Sequence, residues 1–199
     1  EIDLITTQEQ YKFIKAYVDE NIDEDLINLK FIVEDSDKFY VDRINIFGNT
    51  ITSEHVIRNQ LVLDEGDPYS EILVNKSINN IKSLNFFKIV KQKTKINNET
   101  KTKSIDIFVE EKPTGEVYAS AGAGTSGASF GFGVKENNYL GNGIGLDSNL
   151  LISTSQFKGK FSFTNPNFNN SDKSLYFSAE ATEINNYETF GYKTNKTGI

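Results

Sequence analysis

The chain has 199 residues, enough for one or two domains with cores of their own, and a net charge of −7. The charge is uneven: residues 1–113 hold 15 basic and 21 acidic side chains, and residues 114–199 only 6 and 7. An acidic chain without a basic stripe argues against a nucleic-acid partner. The absence of cysteine excludes disulfides, thiolate metal sites and thiol catalysis, and no apolar run reaches the roughly 18 residues of a membrane-spanning helix. Barrel strands, whose hydropathy signal is weak, stay open.

Residues 1–8 read as the tail of a preceding element. Tyr11–Ile22 and Ile27–Glu34 alternate in polarity, the second with Ile27, Leu29, Phe31 and Val33 on one face, and predict an antiparallel hairpin around a polar turn at Asn21–Asp25. Two strands alone are marginal in water, so this pair needs partners. Phe39–Phe47 predicts a strand closed by the turn pair Gly48-Asn49. Thr52 or Ser53 caps a short helix to about Leu61, and Gly66-Asp67-Pro68 breaks the chain. Ser70 caps a longer helix to about Leu84 whose apolar positions Val74, Ile78 and Ile81 share one face. Strands follow at Phe86–Ile96 and Ser104–Glu111, the latter with Ile105, Ile107 and Val109 on one side. Those three are expected to bury against Ile78 and Ile81.

This unit repeats. Phe31-Ile32-Val33-Glu34-Asp35 matches Ile107-Phe108-Val109-Glu110-Glu111 at an offset of 76, and Phe13 to Ile22 resembles Phe87 to Ile96 at an offset of 74. The opening hairpin therefore reads as the last two strands of an earlier copy in a tandem array.

From Gly115 the composition turns to Gly, Ser, Asn and aromatic residues in period-two alternation. Val117, Ala119, Ala121 and Ala123 take one face, and Tyr118, Ser120, Gly122 and Gly124 the other. Ala128, Phe130, Phe132 and Val134 repeat the pattern; so do Ile144, Leu146, Leu150 and Ile152, then Phe157, Phe161 and Phe163, then Leu175, Phe177, Ala179 and Ala181. Asn137–Gly143 reads as a polar turn, and Asn186–Ile199 as a long polar loop. Short alternating strands in a meander fit a transmembrane barrel with its apolar face outward, or a soluble sandwich with that face inward. About five strands cannot close a barrel, which needs at least eight, so the segment reads as an excerpt.

Candidate sites are few. His55, the only histidine, lies near a helix start and reads as a solvent-facing residue; one histidine without clustered carboxylates cannot build a zinc site. Asp23-Glu24-Asp25 reads as a solvated turn before it reads as a cation site. Gly122-Ala123-Gly124 lies in a strand with no helix after it and does not make a phosphate loop. No catalytic residue, cofactor site or metal site is expected. Lys88, Lys91, Lys93 and Lys95 make one strand basic. Such lysines guard a sheet edge against mispairing, and the same edge, Lys88, Ile89, Val90, Lys91, Gln92 and Lys93, could accept a further strand through its backbone.

Five motifs in order resemble the BamA family of outer-membrane β-barrel assembly factors, at the junction of its POTRA modules and its barrel. They are Ile44-Asn45-Ile46-Phe47-Gly48-Asn49, the turn Gly66 to Tyr69, Leu84-Asn85-Phe86-Phe87 with Val90, Asn138 to Gly143, and Thr164 to Phe168. Asn85 stands where the family has glycine, and asparagine suits a left-handed helix end about as well. The resemblance implies the C-terminal hairpin of one POTRA module at 1–37, an α+β POTRA module of β-α-α-β-β order at 38–113, and the first antiparallel up-and-down strands of a transmembrane β-barrel at 114–199. It implies a non-enzymatic factor in the outer membrane of a Gram-negative bacterium, with its N-terminal modules in the periplasm. The implied partners are unfolded outer-membrane β-barrel proteins, accessory assembly lipoproteins and outer-membrane lipid. The alternative is a two-partner-type secretion pore of the same superfamily.

The first barrel strand is thin. Alanines and glycines bury little apolar area and pair weakly, so the seam where this strand meets the last is expected to be the weakest. Its residues Val117, Tyr118, Ala119, Ser120, Ala121, Gly122, Ala123 and Gly124 are the candidate gate that pairs with a client strand.

Overall fold

The computed structural model describes residues 14–23, 26–35, 37–124, 127–171 and 173–199. Tyr11–Phe13 of the first predicted strand, and Glu24 and Asp25 of the predicted turn, lie outside them. The elements are β1 (Ile14–Asp23), β2 (Leu26–Asp35), β3 (Tyr40–Phe47), α1 (Glu54–Arg58), α2 (Glu71–Ser83), β4 (Phe87–Asn97), β5 (Thr102–Glu111), β6 (Gly115–Gly124), β7 (Gly127–Tyr139), β8 (Ile144–Ser153), β9 (Gln156–Asn165), a 3-10 turn (Phe168–Asn170), β10 (Leu175–Asn186), α3 (Tyr187–Phe190) and β11 (Tyr192–Gly198). No helix among the described residues is long and apolar enough to cross a membrane. They group into two compact units: the chain up to Asn49 with Gln60–Glu111, and Thr50–Asn59 with Lys112–Ile199.

In the first unit β5 is the central strand of a three-stranded sheet, parallel to β3 and antiparallel to β4. Its period-two face Ile105, Ile107 and Val109 is buried, and so are Val74, Ile78 and Ile81 on one stripe of α2, the layer expected when an amphipathic helix covers a half-apolar sheet. Ser70 caps α2 as predicted, its hydroxyl accepting from the Leu73 amide at 3.5 Å. After Leu84, Asn85 takes φ +60°, the left-handed helix exit its side chain tolerates. Ser77 ties the core to the inter-helix loop: its hydroxyl donates to Leu73 C=O at 2.8 Å and accepts from Val62 N–H at 2.9 Å. Gly48, at φ +93°, lies so close to Val109 C=O that a Cβ would stand 2.0 Å from that oxygen.

The β1–β2 hairpin keeps the sequence repeat down to its register. Ala16 pairs with Val33, and Val90 with Val109; these are the partners that offsets of 74 and 76 carry onto one another. Leu29, Phe31 and Val33, the equivalents of buried Ile105, Ile107 and Val109, are half exposed or more.

The second unit is an antiparallel meander in the order β11-β10-β9-β8-β7-β6, with β6 and β11 as its two edges. It holds six strands rather than about five. The polar tail read as a loop at Asn186–Ile199 instead makes a one-turn helix, a left-handed turn at Gly191 and strand β11, which pairs with Glu180–Asn186 of β10. Threonine, lysine and asparagine hide such a strand from a reading based on apolar alternation. The predicted turn at Asn137–Gly143 shortens too: β7 runs on to Tyr139 past a bulge after Glu136, and the turn is Leu140–Gly143.

Candidate functional site

Two strand edges were singled out from the sequence. β4 is an edge of its sheet: among the described residues it pairs only with β5. Lys88 bonds Glu110 at 3.3 Å, Lys95 bonds Asp106 at 2.7 Å, and the Lys93 ammonium stands 5.9 Å from the Phe108 ring centroid. These lysines therefore reach inward over β5 rather than outward past the edge of β4. Asp106 is almost wholly buried between two donors. The Lys95 ammonium, and then the Asn45 amide at 2.8 Å, hold its carboxyl below the usual carboxylate range. Gln92 turns to the helix side and donates to Asn75 at 3.1 Å, while its own amide oxygen is buried without a partner.

β6 is the other edge. Its inner side pairs with β7 from Gly115↔Glu136 to Gly124↔Gly127 without a bulge. The Asn137 N–H donates to Thr114 C=O, which marks that pair as a hydrogen-bonded one. Hydrogen-bonded pairs alternate along an antiparallel ladder. Glu116, Tyr118, Ser120 and Gly122 thus bond β7, and the N–H and C=O groups of Val117, Ala119, Ala121 and Ala123 point away from it. Among the described residues no strand pairs with this side of β6. Tyr118, paired with Gly133, lies directly over that glycine, so that a Cβ there would stand 2.0 Å from the ring.

The register settles which side chains share a face. Ala119, Phe132, Leu150, Gly159 and Ala181 form one row across β6 to β10; Val117, Val134, Ser148, Phe161 and Ala179 form another. The opposite face carries Glu116, Lys135, Asp147, Ser162 and Ser178, and beside them Tyr118, Gly133, Asn149, Lys160 and Glu180. Lys158 and Glu180 pair on that face at 3.0 Å. The apolar face is bare: Phe130 is 62% exposed, Phe132 51% and Phe161 41%. A soluble sandwich buries this face against a second sheet, whereas a lipid-facing barrel wall leaves it outward.

His55 is exposed on α1, and among the described residues no three His, Cys, Asp or Glu side chains gather to hold a metal. Asn138, expected only as part of a polar turn, is buried in the β7–β8 corner, where its amide donates to Thr52 Oγ1 at 2.9 Å and accepts from Gly143 N–H at 2.7 Å. An Asn-Asn pair before Tyr-Leu-Gly signals a turn, and only the fold separates the buried asparagine from its neighbour.

Residues 39–112 match the family model described as POTRA, surface antigen variable number repeat. The outer membrane protein assembly factor BamA of Neorickettsia risticii is 34% identical over 58% of this chain, and that of Buchnera aphidicola 30% identical over 84%. The crystal structure of Haemophilus ducreyi BamA lacking POTRA domains 1–3 superposes on 99% of this chain, with a TM-score of 0.68 at 21% identity. The chain is BamA-like, a POTRA domain running into barrel strands. It spans 16% and 28% of the two BamA sequences and 40% of the solved BamA chain. CdiB of Acinetobacter baumannii shares the fold, with a TM-score of 0.52 at 12% identity over 85% of this chain and 33% of its own. In the BamA-like frame, residues 39–112 match the POTRA domain and β6 to β11 match barrel strands.

Proposed function

We propose that the protein to which this chain belongs folds and inserts β-barrel proteins in the outer membrane of a Gram-negative bacterium, its N-terminal modules lying in the periplasm. Clients are unfolded outer-membrane β-barrel proteins, captured by β-augmentation at two places: the POTRA edge Lys88–Lys93 and the seam strand Val117–Gly124. Accessory lipoproteins and outer-membrane lipid complete its partners. The observation that carries this reading is the thin β6 strand. Alternate residues turn their N–H and C=O groups away from β7 beside an exposed apolar face, so a client strand pairing there would gain a full ladder while its own apolar side chains continue the lipid-facing surface. The related BamA proteins are named assembly factors, and no reaction centre is needed for this work.

The experiment places cysteine at Ala119 or Ala121 of the full-length protein and seeks crosslinks to the terminal strand of a client stalled in assembly. Crosslinks there, and none at Phe161 in the middle of the sheet, are expected. The reverse pattern sinks the seam. The likeness to CdiB keeps a secretion pore for one partner protein as the second reading. Depletion separates the two: loss of many barrel proteins fits the assembly factor, and loss of one exported protein fits the pore.

A further inference from the structure

The seam strand is not rooted in its own sheet alone. Thr114, the residue before β6, donates its hydroxyl to Glu136 Oε1 and accepts on its carbonyl from the Asn137 side-chain amide at 3.1 Å. The same Glu136 oxygen accepts the Asn138 N–H at 2.8 Å. The Asn138 side chain then bonds Thr52 Oγ1 and the Gly143 N–H. Beside it, Ser53 N–H donates to Gly141 C=O at 2.8 Å, and Ser53 Oγ bonds Asn142 at 3.3 Å. Gly141, at φ +72°, sits so close to Ile51 C=O that a Cβ would stand 2.0 Å from it. Thr52 and Asn138 are both buried, where a hydrogen bond is strongest and an orphaned partner costs most. A connected set of hydrogen bonds therefore runs from the Thr50–Asn59 segment, through Asn138, to the root of β6.

We propose that Asn138 is a positioning residue that couples the Thr50–Asn59 segment to Thr114, so that the hold of β7 on the seam strand depends on where that segment lies. The inference rests on the reading of β6 as the client-pairing strand and adds its regulation. With Thr52 bonded, Asn138 and Glu136 are fixed and Thr114 is held, so Glu116 and Tyr118 pair firmly with β7. With Thr52 withdrawn, the Asn138 amide loses its buried acceptor, the corner relaxes, and the first turns of the ladder loosen.

The test is hydrogen exchange at residue resolution on the full-length protein in lipid nanodiscs. Thr52→Val keeps the shape and removes the hydroxyl; Thr52→Ser keeps the hydroxyl. Thr52→Val should speed exchange of the Glu116 and Tyr118 amides about three- to thirtyfold, the range of couplings carried by hydrogen-bond networks, with Leu150 unchanged and Thr52→Ser close to the parent. Faster exchange confined to Ser53 and Gly143 would mean a turn that stabilises only itself, and would overturn the proposal. Should Thr52→Val not fold, Asn138→Ala is read by the same amides. Client crosslinking from Ala119→Cys supplies the second arm: its yield should rise with Thr52→Val in step with exchange, and an unchanged yield overturns the regulatory role. If the parent gives no crosslinks at all, the seam reading fails, and the exchange data alone then decide the coupling.

Discussion

The two sheets share one sequence pattern and opposite burial. In β5, Ile105, Ile107 and Val109 alternate with polar residues and are buried, on a sheet accompanied by the apolar stripe of α2. In β7, Phe130, Phe132 and Val134 alternate just as cleanly and stand exposed. Period two fixes which residues share a face; it carries no sign for the direction of that face. The sign comes from what the neighbouring sequence offers as cover. Before residue 113 the chain supplies a capped helix with Val74, Ile78 and Ile81 on one stripe. After it the described residues form a meander with no helix longer than one turn, and the exposed apolar face suits lipid.

The largest expected effect lies where cover is complete. Ile81→Ala removes a side chain with no exposure and should cost about 2–5 kcal/mol, the range for large-to-small changes in a core. Chemical denaturation of the POTRA domain, followed by fluorescence, would read it. An unchanged midpoint for Ile81→Ala would mean that α2 does not cover the sheet through this stripe.

A charge on the bare face is the next test. Leu150→Arg places guanidinium in the apolar row and should cost about 2–4 kcal/mol of folding into liposomes if that row lies near the bilayer centre. Asn149→Arg, one residue away on the polar face, should cost little. Equal penalties, or the opposite order, would turn the sheet inside out.

Between these regions, legibility followed locality. The repeat read from Phe31–Asp35 and Phe13–Ile22 is matched in the pairing register of β1 with β2, as a repeated sequence that rebuilds the same ladder would give. The Ser70 cap and the Asn85 exit were legible because capping chemistry is local. Strand β11 was not, because its threonines, lysines and asparagine leave no apolar alternation to read. The bonds from Asn138 to Thr52 were not either: their partners lie 86 residues apart, and no local signal separates a buried asparagine from a turn asparagine. The division that places Thr50–Asn59 with the second unit was hidden for the same reason.

A smaller effect should appear in acid. The folded-state pKa of Asp106 is depressed by Lys95 and Asn45, so its contribution is complete above the unfolded carboxyl value of about 4. It disappears as pH falls through the folded value. Asp106→Asn should be less stable than the parent at neutral pH, and the two should converge on acidification. Parallel stability curves down to pH 2 would show that the pair contributes nothing.

The smallest effect concerns how the bare sheet holds its thin strand. With no core beneath β6, contacts across its polar face must contribute, and the most direct is the Tyr118 ring lying over Gly133. The glycine offers no Cβ, so the ring settles on the backbone and shields the adjoining hydrogen bonds. Cross-strand pairs of this kind are worth roughly 0.2–1 kcal/mol. A double-mutant cycle with Tyr118→Ala and Gly133→Ala in the full-length protein isolates the term. Tyr118→Ala alone should lower the unfolding midpoint slightly. Gly133→Ala alone should do the same, because the new methyl lifts the ring from its seat. Once the ring is gone, Gly133→Ala should be neutral or stabilising, since alanine fits a strand better than glycine. Additive effects of the two substitutions would mean that the ring rests on the glycine without holding the strand, and would leave β6 secured by its backbone ladder and its root at Thr114.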